Sequence, residues 1–198
     1  MSKAEQLEQI RQAVLNLTES PLYAYRTENN YHPVIGEGSA DAKIMFIGEA
    51  PGKNEAEQGR PFVGASGRVL DELLSGVGLQ RADVYITNIV KDRPPDNRDP
   101  RKDEIKLYAP FLDQQIEAMQ PEVIVTLGRF SMEFILTRFD APEKTQKISA
   151  LHGRKIAVQA SYGTVYVVPL FHPAVSLYNV GQKATLVDDF QVLKEFAP

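Results

Sequence analysis

Short runs of apolar residues alternate along the chain with segments in which apolar residues recur every three or four positions. Short apolar runs closed by turn residues are typical of buried strands, and the helical spacing is typical of helices with one apolar face. The first pattern predicts strands at 43–50, 83–90, 122–128, 155–159 and 164–171. The second pattern predicts helices over 1–17, 69–77, 102–119, 129–139 and 182–196.

The alternation of strands with helices predicts the fold class α/β, as a three-layer α/β/α domain with a central, mainly parallel sheet. The length of 198 residues suits a single domain over 1–198. Ligands bind such sheets beyond the carboxyl ends of the strands. The functional residues are therefore expected after Ile47, after Thr87 and after Phe171.

Composition excludes several classes of function. No apolar run approaches the roughly 20 residues of a membrane helix, and the amino-terminal segment is interrupted by charges, unlike a signal peptide. We therefore expect a cytoplasmic protein with no membrane partner. The absence of cysteine excludes disulfides, cysteine nucleophiles and thiolate-held metals. Three widely spaced histidines make a zinc site unexpected, and a formal net charge of −4 means that nucleic-acid binding would require a local basic patch.

A tight turn follows one of the expected strand ends, and a side-chain amide lies at another. The segment Gly48-Glu-Ala-Pro-Gly52 makes a tight turn whose amides can point outward; it is either a binding loop, a phosphate cradle or only a sharp strand–helix connection. Asn88 offers both an acceptor and a donor, so it can pair with the edge of a planar heterocycle. Its alternative role is to satisfy nearby backbone groups.

A histidine and an isolated aromatic complete the candidate set. His172 follows an apolar strand, and a neutral imidazole there can donate a hydrogen bond to a developing oxyanion; alternatively it caps its own turn. Phe62 lies among Arg60, Pro61 and glycines, outside any periodic apolar run. Such a residue is either a stacking platform for a base or a loop anchor.

Together these segments resemble the uracil-DNA glycosylase superfamily, most closely its family 4 type. The resemblance covers nearly the whole chain and rests on "GEAPGKNEAEQGRPFVG", "ITNIVKDRPP" and "FHPA", in that order. It implies a monofunctional DNA glycosylase that flips uracil out of DNA and hydrolyses its N-glycosidic bond in base excision repair. The implied partner is DNA containing uracil, and we expect a monomer.

The resemblance also implies a role for each candidate residue. Phe62 stacks on the flipped uracil, Asn88 reads its edge, and His172 stabilises negative charge on uracil O2. The turn at Gly48 and Ala50 lines the base pocket. Glu49, Asn88 and His172 form the catalytic set, in which a carboxylate near the sugar would orient the attacking water. Because no lysine nucleophile is required, we expect hydrolysis without strand cleavage.

The sequence departs from family 4 where that family holds a four-iron four-sulfur cluster. The resemblance places Leu17, Ser20, Asp92 and Tyr108 at the four cysteine positions, so we expect no cofactor and no metal cluster. Packing of Leu17 and Tyr108 is expected to fill the volume. Asp92 is expected to pair with an arginine such as Arg93 or Arg98, or to cap its turn.

The expected DNA-binding surface combines a wedge with phosphate contacts. Leu177 or Tyr178 would be the wedge, where the family commonly has an arginine. The expected phosphate contacts are Ser66, Lys91, Arg93, Arg98 and Arg129. Acidic residues alternate with the basic ones over 91–103, so a solvated loop with local ion pairs is the alternative.

Three other functions stay open on the sequence alone. One is excision of another deaminated base, such as hypoxanthine or mismatched thymine. The second is a non-catalytic DNA- or base-binding protein of the same fold. The third is a nucleotide- or phosphate-binding α/β domain that uses only the turn at 48–52 and leaves Phe62 and "HPA" unexplained.

Overall fold

A computed structural model describes residues 1–197, apart from the side chain of Val180. One sheet contains β1 (Glu37–Gly38), β2 (Ile44–Gly48), β3 (Tyr85–Asn88), β4 (Val123–Leu127), β5 (Ile156–Ala160) and β6 (Gly163–Leu170). Its order is β1-β3-β2-β4-β6-β5. The neighbouring pairs among β3, β2, β4 and β6 are parallel, and β1 and β5 are antiparallel edge strands.

Helices cover both faces of the sheet. They are α1 (Lys3–Leu15), α2 (Tyr23–Glu28), α3 (Lys53–Gln58), α4 (Ala65–Gly76), α5 (Lys102–Met119), α6 (Arg129–Arg138), α7 (Ile148–Leu151), α8 (Val175–Tyr178) and α9 (Val180–Phe190). Short 3₁₀ turns lie at Arg81–Asp83, Pro95–Asn97, Pro142–Thr145 and Gln191–Phe196. None of the helices described in residues 1–197 is both long enough and apolar enough to cross a membrane.

The alternating side chains of β2 divide the core into two clusters. Met45 and Ile47 pack on one face of the sheet with residues of α1, α5 and α6. Ile44 and Phe46 pack on the other face with residues of α4 and α9. This arrangement confirms the predicted three-layer architecture.

The parallel strands bring their carboxyl ends to one edge of the sheet. Gly48 pairs with Asn88 across β2 and β3, and Leu127 pairs with Leu170 across β4 and β6. The segments that follow these strands therefore converge on one side of the molecule. That convergence positions the turn at 48–52, the loop after Asn88 and His172 close together.

The predicted elements differ from the observed ones mainly at their ends. The helix over 102–119 has the predicted bounds. The strands predicted at 43–50, 83–90 and 122–128 are shorter in the structure, because residues at both ends lie outside the ladder. The last two strands have their predicted lengths, each shifted by one residue. The closing helix ends at Phe190 and continues as a 3₁₀ turn. The sequence pattern gave no sign of α2, α3, α8 or β1, which have six residues or fewer and so are too short for a periodic signal.

A buried polar network occupies the positions of the family 4 cysteines. The Tyr108 hydroxyl donates to Asp92 Oδ2 at 2.5 Å and lies 2.8 Å from Ser20 Oγ, and Leu17 is buried beside them. Arg26 Nη1 lies 3.1 Å from both carboxylate oxygens of Asp92. These side chains use their oxygens for one another and offer no thiolate, so they do not fit an iron–sulfur cluster.

The partner of Asp92 corrects the sequence prediction. The structure pairs Asp92 with Arg26 of α2, and not with Arg93 or Arg98. Burial raises the pKa of Asp92, while the bonds from Tyr108 and Arg26 act in the opposite direction. The network ties α2 and the segment after α1 to the loop that follows β3.

Candidate functional site

A cavity of about 560 Å³ lies at the carboxyl edge of the sheet. The sequence-predicted residues that line it are Glu49, Ala50, Phe62, Ser66, Asn88, Arg98, His172 and Tyr178. They come from five separate segments of the chain. The cavity therefore brings together the base-binding and catalytic candidates, and Gly48 lies behind them at the end of β2.

Gly48 allows Asn88 and Phe62 to approach the end of β2. A Cβ atom at Gly48 would collide with Asn88 Oδ1 and would lie 2.9 Å from Phe62 Cζ. Asn88 is 2% exposed and lines the cavity together with Phe62, so it has little access to bulk water. A planar ring in the cavity could therefore meet both an amide and an aromatic ring.

Phe62 has a backbone conformation that depends on its neighbours. Its φ is +52°, in the left-handed region that large side chains rarely adopt. The Arg81 guanidinium donates to the carbonyls of both Pro61 and Phe62. Glu55 Oε1 accepts from the backbone N–H of Val63 at 2.9 Å, so two charged side chains hold the loop in place.

Arg81 and Glu55 were not among the predicted site residues. Arg81 lies beyond α4, and only the three-dimensional fold brings it beneath the Phe62 loop. Glu55 lies in the same sequence segment as Phe62 and also lines the cavity. Glu55 is a half-buried residue of α3, eight residues before Val63, and no periodic signal distinguishes it from the other glutamates of that segment.

One ring nitrogen of His172 accepts a hydrogen bond from the backbone, and the other carries the ring proton. Its Nδ1 accepts from the backbone N–H of Ala174 at 3.2 Å, which assigns the proton of the neutral ring to Nε2. Burial lowers the pKa of His172, with Glu55 opposing, so the neutral ring predominates at pH 7. The ring lies 5.7 Å from the Phe62 ring, centroid to centroid. Turn capping and a donor role therefore use different nitrogens of the same side chain.

Glu49 is a titratable group of the cavity with a strongly raised pKa. Burial and, to a smaller extent, the carboxylate of Asp99 raise its pKa to about 7, and Arg129 acts in the opposite direction. Its carbonyl accepts from the Val90 N–H at 3.0 Å, which fixes the backbone of the turn against the segment after β3. A carboxyl group with a pKa near the working pH is suited to proton transfer.

The structure corrects the prediction that Lys91 contacts DNA. Its side chain is fully buried, and its Nζ donates to Thr87 Oγ1, Asn88 O and Gln115 Oε1. A phosphate cannot reach an ammonium in that position. The sequence pattern reports the charge but does not give the direction in which the side chain points.

Two other cationic side chains of the 91–103 loop, Arg93 and Arg98, already have hydrogen-bond partners within the protein. Arg98 makes a bidentate bond to Glu104, so the alternative of local ion pairs holds for that residue. Arg93 donates to Asn97 Oδ1 and to the hydroxyls of Tyr25 and Tyr31. Since those partners are uncharged, the charge of Arg93 is not neutralised by them.

The remaining predicted DNA contacts lie on the surface around the cavity. Leu177 and Tyr178 are 46% and 89% exposed on α8. Ser66 lies in the first turn of α4, which begins after Gly64. Arg129 is exposed at the start of α6, with its guanidinium 4.5 Å from the centre of the Phe130 ring. Ser66 and Tyr178 line the cavity, whereas Leu177 and Arg129 lie outside its lining.

Comparisons with known proteins agree with this geometry. The family model of the uracil DNA glycosylase superfamily matches residues 35–194. A type-4 uracil-DNA glycosylase of Sulfurisphaera tokodaii is 41% identical over 194 residues, covering 98% of this chain and 86% of the relative. That of Archaeoglobus fulgidus is 41% identical, covering 96% and 93%. That of Thermotoga maritima is 38% identical, covering 98% and 96%.

Proposed function

Because the chain belongs to the uracil DNA glycosylase superfamily, we propose that it is a monofunctional uracil-DNA glycosylase. It hydrolyses the N-glycosidic bond of uracil in DNA, as expected for base excision repair, and needs no iron–sulfur cluster. The observation that carries the proposal is the convergence of Glu49, Phe62, Asn88 and His172 on one cavity.

Recognition of the base begins in the cavity, beside Gly48. A uracil flipped out of the duplex stacks on Phe62 and presents its polar edge to Asn88. The Asn88 amide can donate to uracil O4 and accept from N3–H, because it carries both kinds of group. Ala50 lines the cavity, and Gly48 lies directly before this lining at the end of β2, so the turn that contains them would support the base.

Departure of the base is favoured by His172. As the N1–C1′ bond breaks, its electron pair moves onto uracil, and negative charge develops on O2. The neutral imidazole donates from Nε2, since Nδ1 is already an acceptor. A preorganised donor of this kind lowers a barrier by roughly 2.7–4 kcal/mol.

Glu49 completes the hydrolysis on the sugar side. Its carboxylate stabilises the positive charge that develops on the sugar and orients a water for attack on C1′. The water's proton passes to the carboxylate, and the uracil anion takes a proton from solvent. No amine forms a covalent bond to the sugar, so the DNA strand remains intact at the abasic site.

The surface around the cavity would hold the DNA. Leu177 or Tyr178 is suited to fill the space that the flipped nucleotide leaves, because both are exposed beside the cavity. Ser66, Arg93 and Arg129 are the candidate phosphate contacts. The formal net charge of −4 implies weaker binding to DNA than a basic protein would show, and each phosphate contact makes that binding weaken as salt increases.

An excision assay tests the proposed function. Labelled DNA with a single uracil, opposite guanine, opposite adenine or in single-stranded form, is incubated with the protein at low salt and then treated with alkali. We expect alkali-dependent cleavage that is lost in Glu49→Ala and His172→Ala. DNA that contains hypoxanthine or mismatched thymine is tested in parallel. Cleavage only of that DNA would show that the enzyme excises another deaminated base. Cleavage of none of these substrates would show that the protein binds DNA without excising a base.

A further inference from the structure

Lys91 is a fully buried lysine whose three hydrogen-bond acceptors are all uncharged. Its Nζ lies 2.7 Å from Thr87 Oγ1, 2.7 Å from the backbone oxygen of Asn88 and 2.5 Å from Gln115 Oε1. The side chain folds back over the end of β3, because two of these acceptors lie three and four residues before it. The mechanism proposed above makes no use of this group.

The surrounding hydrogen bonds indicate the charged form of the lysine. The Thr87 hydroxyl gives its one proton to the carbonyl of Ile35 at 2.7 Å. The Gln115 amide nitrogen donates to Ile35 O at 2.9 Å and Tyr85 OH at 3.1 Å, which leaves its oxygen as an acceptor toward Lys91. An ammonium has three donors for these three acceptors, whereas a neutral amine would turn its lone pair toward one of them.

The position of this charge relates it to the base pocket. Lys91 bonds to the carbonyl of Asn88, whose side chain lines the cavity. Burial lowers the pKa of Lys91 well below that of an exposed lysine. Three oxygen acceptors within 2.7 Å favour the ammonium over the neutral amine, because hydrogen bonds to the charged form stabilise it. In the low-dielectric interior a charge with no anionic partner acts over a longer distance than it would in water.

We infer that Lys91 is a positioning residue for the proposed reaction, which fixes Asn88 from behind and holds a positive charge 2.7 Å from the backbone oxygen of the residue that reads the base. The inference rests on the proposed function. Burial of a cation without a carboxylate is unfavourable for folding, and an apolar side chain of similar length would avoid that cost. Fold stability therefore does not explain why a lysine is present at this position, whereas stabilisation of the transition state does.

The test compares three variants over a range of DNA concentrations that extends to saturation. Lys91→Met keeps the length of the side chain and removes its charge. Gln115→Met removes one acceptor and leaves the lysine and its bond to Asn88. Lys43→Met removes an exposed charge at the amino end of β2, away from the cavity edge. Excision rate, KM and melting temperature are measured for each.

We expect Lys91→Met to lower kcat at least about tenfold with KM changed less than about threefold, as for an interaction made mainly in the transition state. Gln115→Met should lose melting temperature but retain most of kcat, and Lys43→Met should match the wild type. Equal kcat losses in Lys91→Met and Gln115→Met, in step with their melting temperatures, would reduce Lys91 to a structural residue. An inactive wild type would instead refute the proposed function.

A second measurement covers the case in which Lys91→Met does not fold. Nitrogen-15 NMR of the wild-type protein counts the protons on the lysine Nζ atoms at pH 7. A buried ammonium signal with three protons, assigned to Lys91 in the wild-type protein by through-bond correlation with its side-chain carbons, supports the inference. A neutral amine at Lys91 overturns it.

Discussion

Glu49 has two charged groups near it that act on its pKa in opposite directions. Burial is the largest cause of its raised pKa, the Asp99 carboxylate adds to it, and Arg129 counteracts it. The same carboxyl is the group that the proposed mechanism needs in its ionised form. The pH dependence of excision is therefore set by a single residue and its immediate surroundings.

The first prediction concerns the pH profile of the wild type. Because Glu49 has a pKa of about 7 and acts as a carboxylate, the single-turnover rate should rise with pH through about 7. Below that value it should fall about tenfold per pH unit, as the protonated fraction grows. His172 should add no limb near neutrality, since its pKa is lowered. A rate that is constant from pH 5.5 to pH 8 would contradict this assignment.

The second prediction is that removing a charged neighbour of Glu49 shifts the midpoint of the pH profile in a direction set by the sign of that neighbour's charge. Asp99→Asn removes a negative charge near Glu49 and should shift the midpoint of the profile to lower pH. Arg129→Met removes a positive charge and should shift it to higher pH. Asp41→Asn, an exposed change outside the cavity lining, should leave the midpoint unchanged. Shifts of both site variants in the same direction would show that charge at these positions does not control Glu49.

At the scale of elements, the Phe62 loop depends on the first turns of α4. A Cβ atom at Gly67 would collide with the carbonyl oxygen of Phe62, so only glycine lets the helix pack beneath this loop. The same helix contains Gly76, where an added Cβ atom would meet no atom within 4 Å apart from its chain neighbours and the backbone of its own helix. One helix thus offers both a test position and its control.

The third prediction uses these two glycines. Gly67→Ala should displace the Phe62 loop, destabilise the protein by about 1–3 kcal/mol and lower kcat/KM by at least about tenfold. Gly76→Ala should be neutral or stabilising by up to about 1 kcal/mol, with full activity. Denaturant unfolding and single-turnover assays measure both effects. If Gly67→Ala were as active as Gly76→Ala, the loop position would not depend on that contact.

Some features of these elements could be predicted from the sequence, and others could not. The strand ends at Asn88 and before His172 were predictable because apolar runs and turn residues mark them, and the family resemblance identified Phe62. The hold of Arg81 on the Phe62 loop was not predictable, since it joins residues about 20 positions apart through carbonyl groups. The prediction for Lys91 was wrong because a charge in a loop sequence does not reveal whether it points inward.

At the scale of the whole molecule, a buried ion pair joins the amino-terminal part to the loop beside the site. Arg26 and Asp92 are 66 residues apart, and each is nearly or fully buried. Sequence reasoning placed Asp92 at a cluster position but assigned it neighbouring arginines. Only the packing of α2 against the loop after β3 reveals its partner.

The fourth prediction concerns the energy of this pair. Asp92→Asn leaves Arg26 buried without its counter-ion and should destabilise the protein by about 3–5 kcal/mol. Arg26→Met combined with Asp92→Leu should cost less than the sum of the single changes, because both charges are removed. Lys183→Met breaks an exposed pair with Glu72 and should cost under about 1 kcal/mol. Additive losses in the double variant would show that the two charges do not interact.

The most direct test of the account is release of free uracil by protein whose iron content has been measured. The purified chain is incubated with an excess chelator and duplex DNA that contains one uracil opposite guanine, and the released base is quantified by mass spectrometry. The account predicts stoichiometric release of uracil and an intact strand from iron-free protein, with release abolished in Glu49→Ala. Absence of uracil release from the folded, iron-free protein would contradict it.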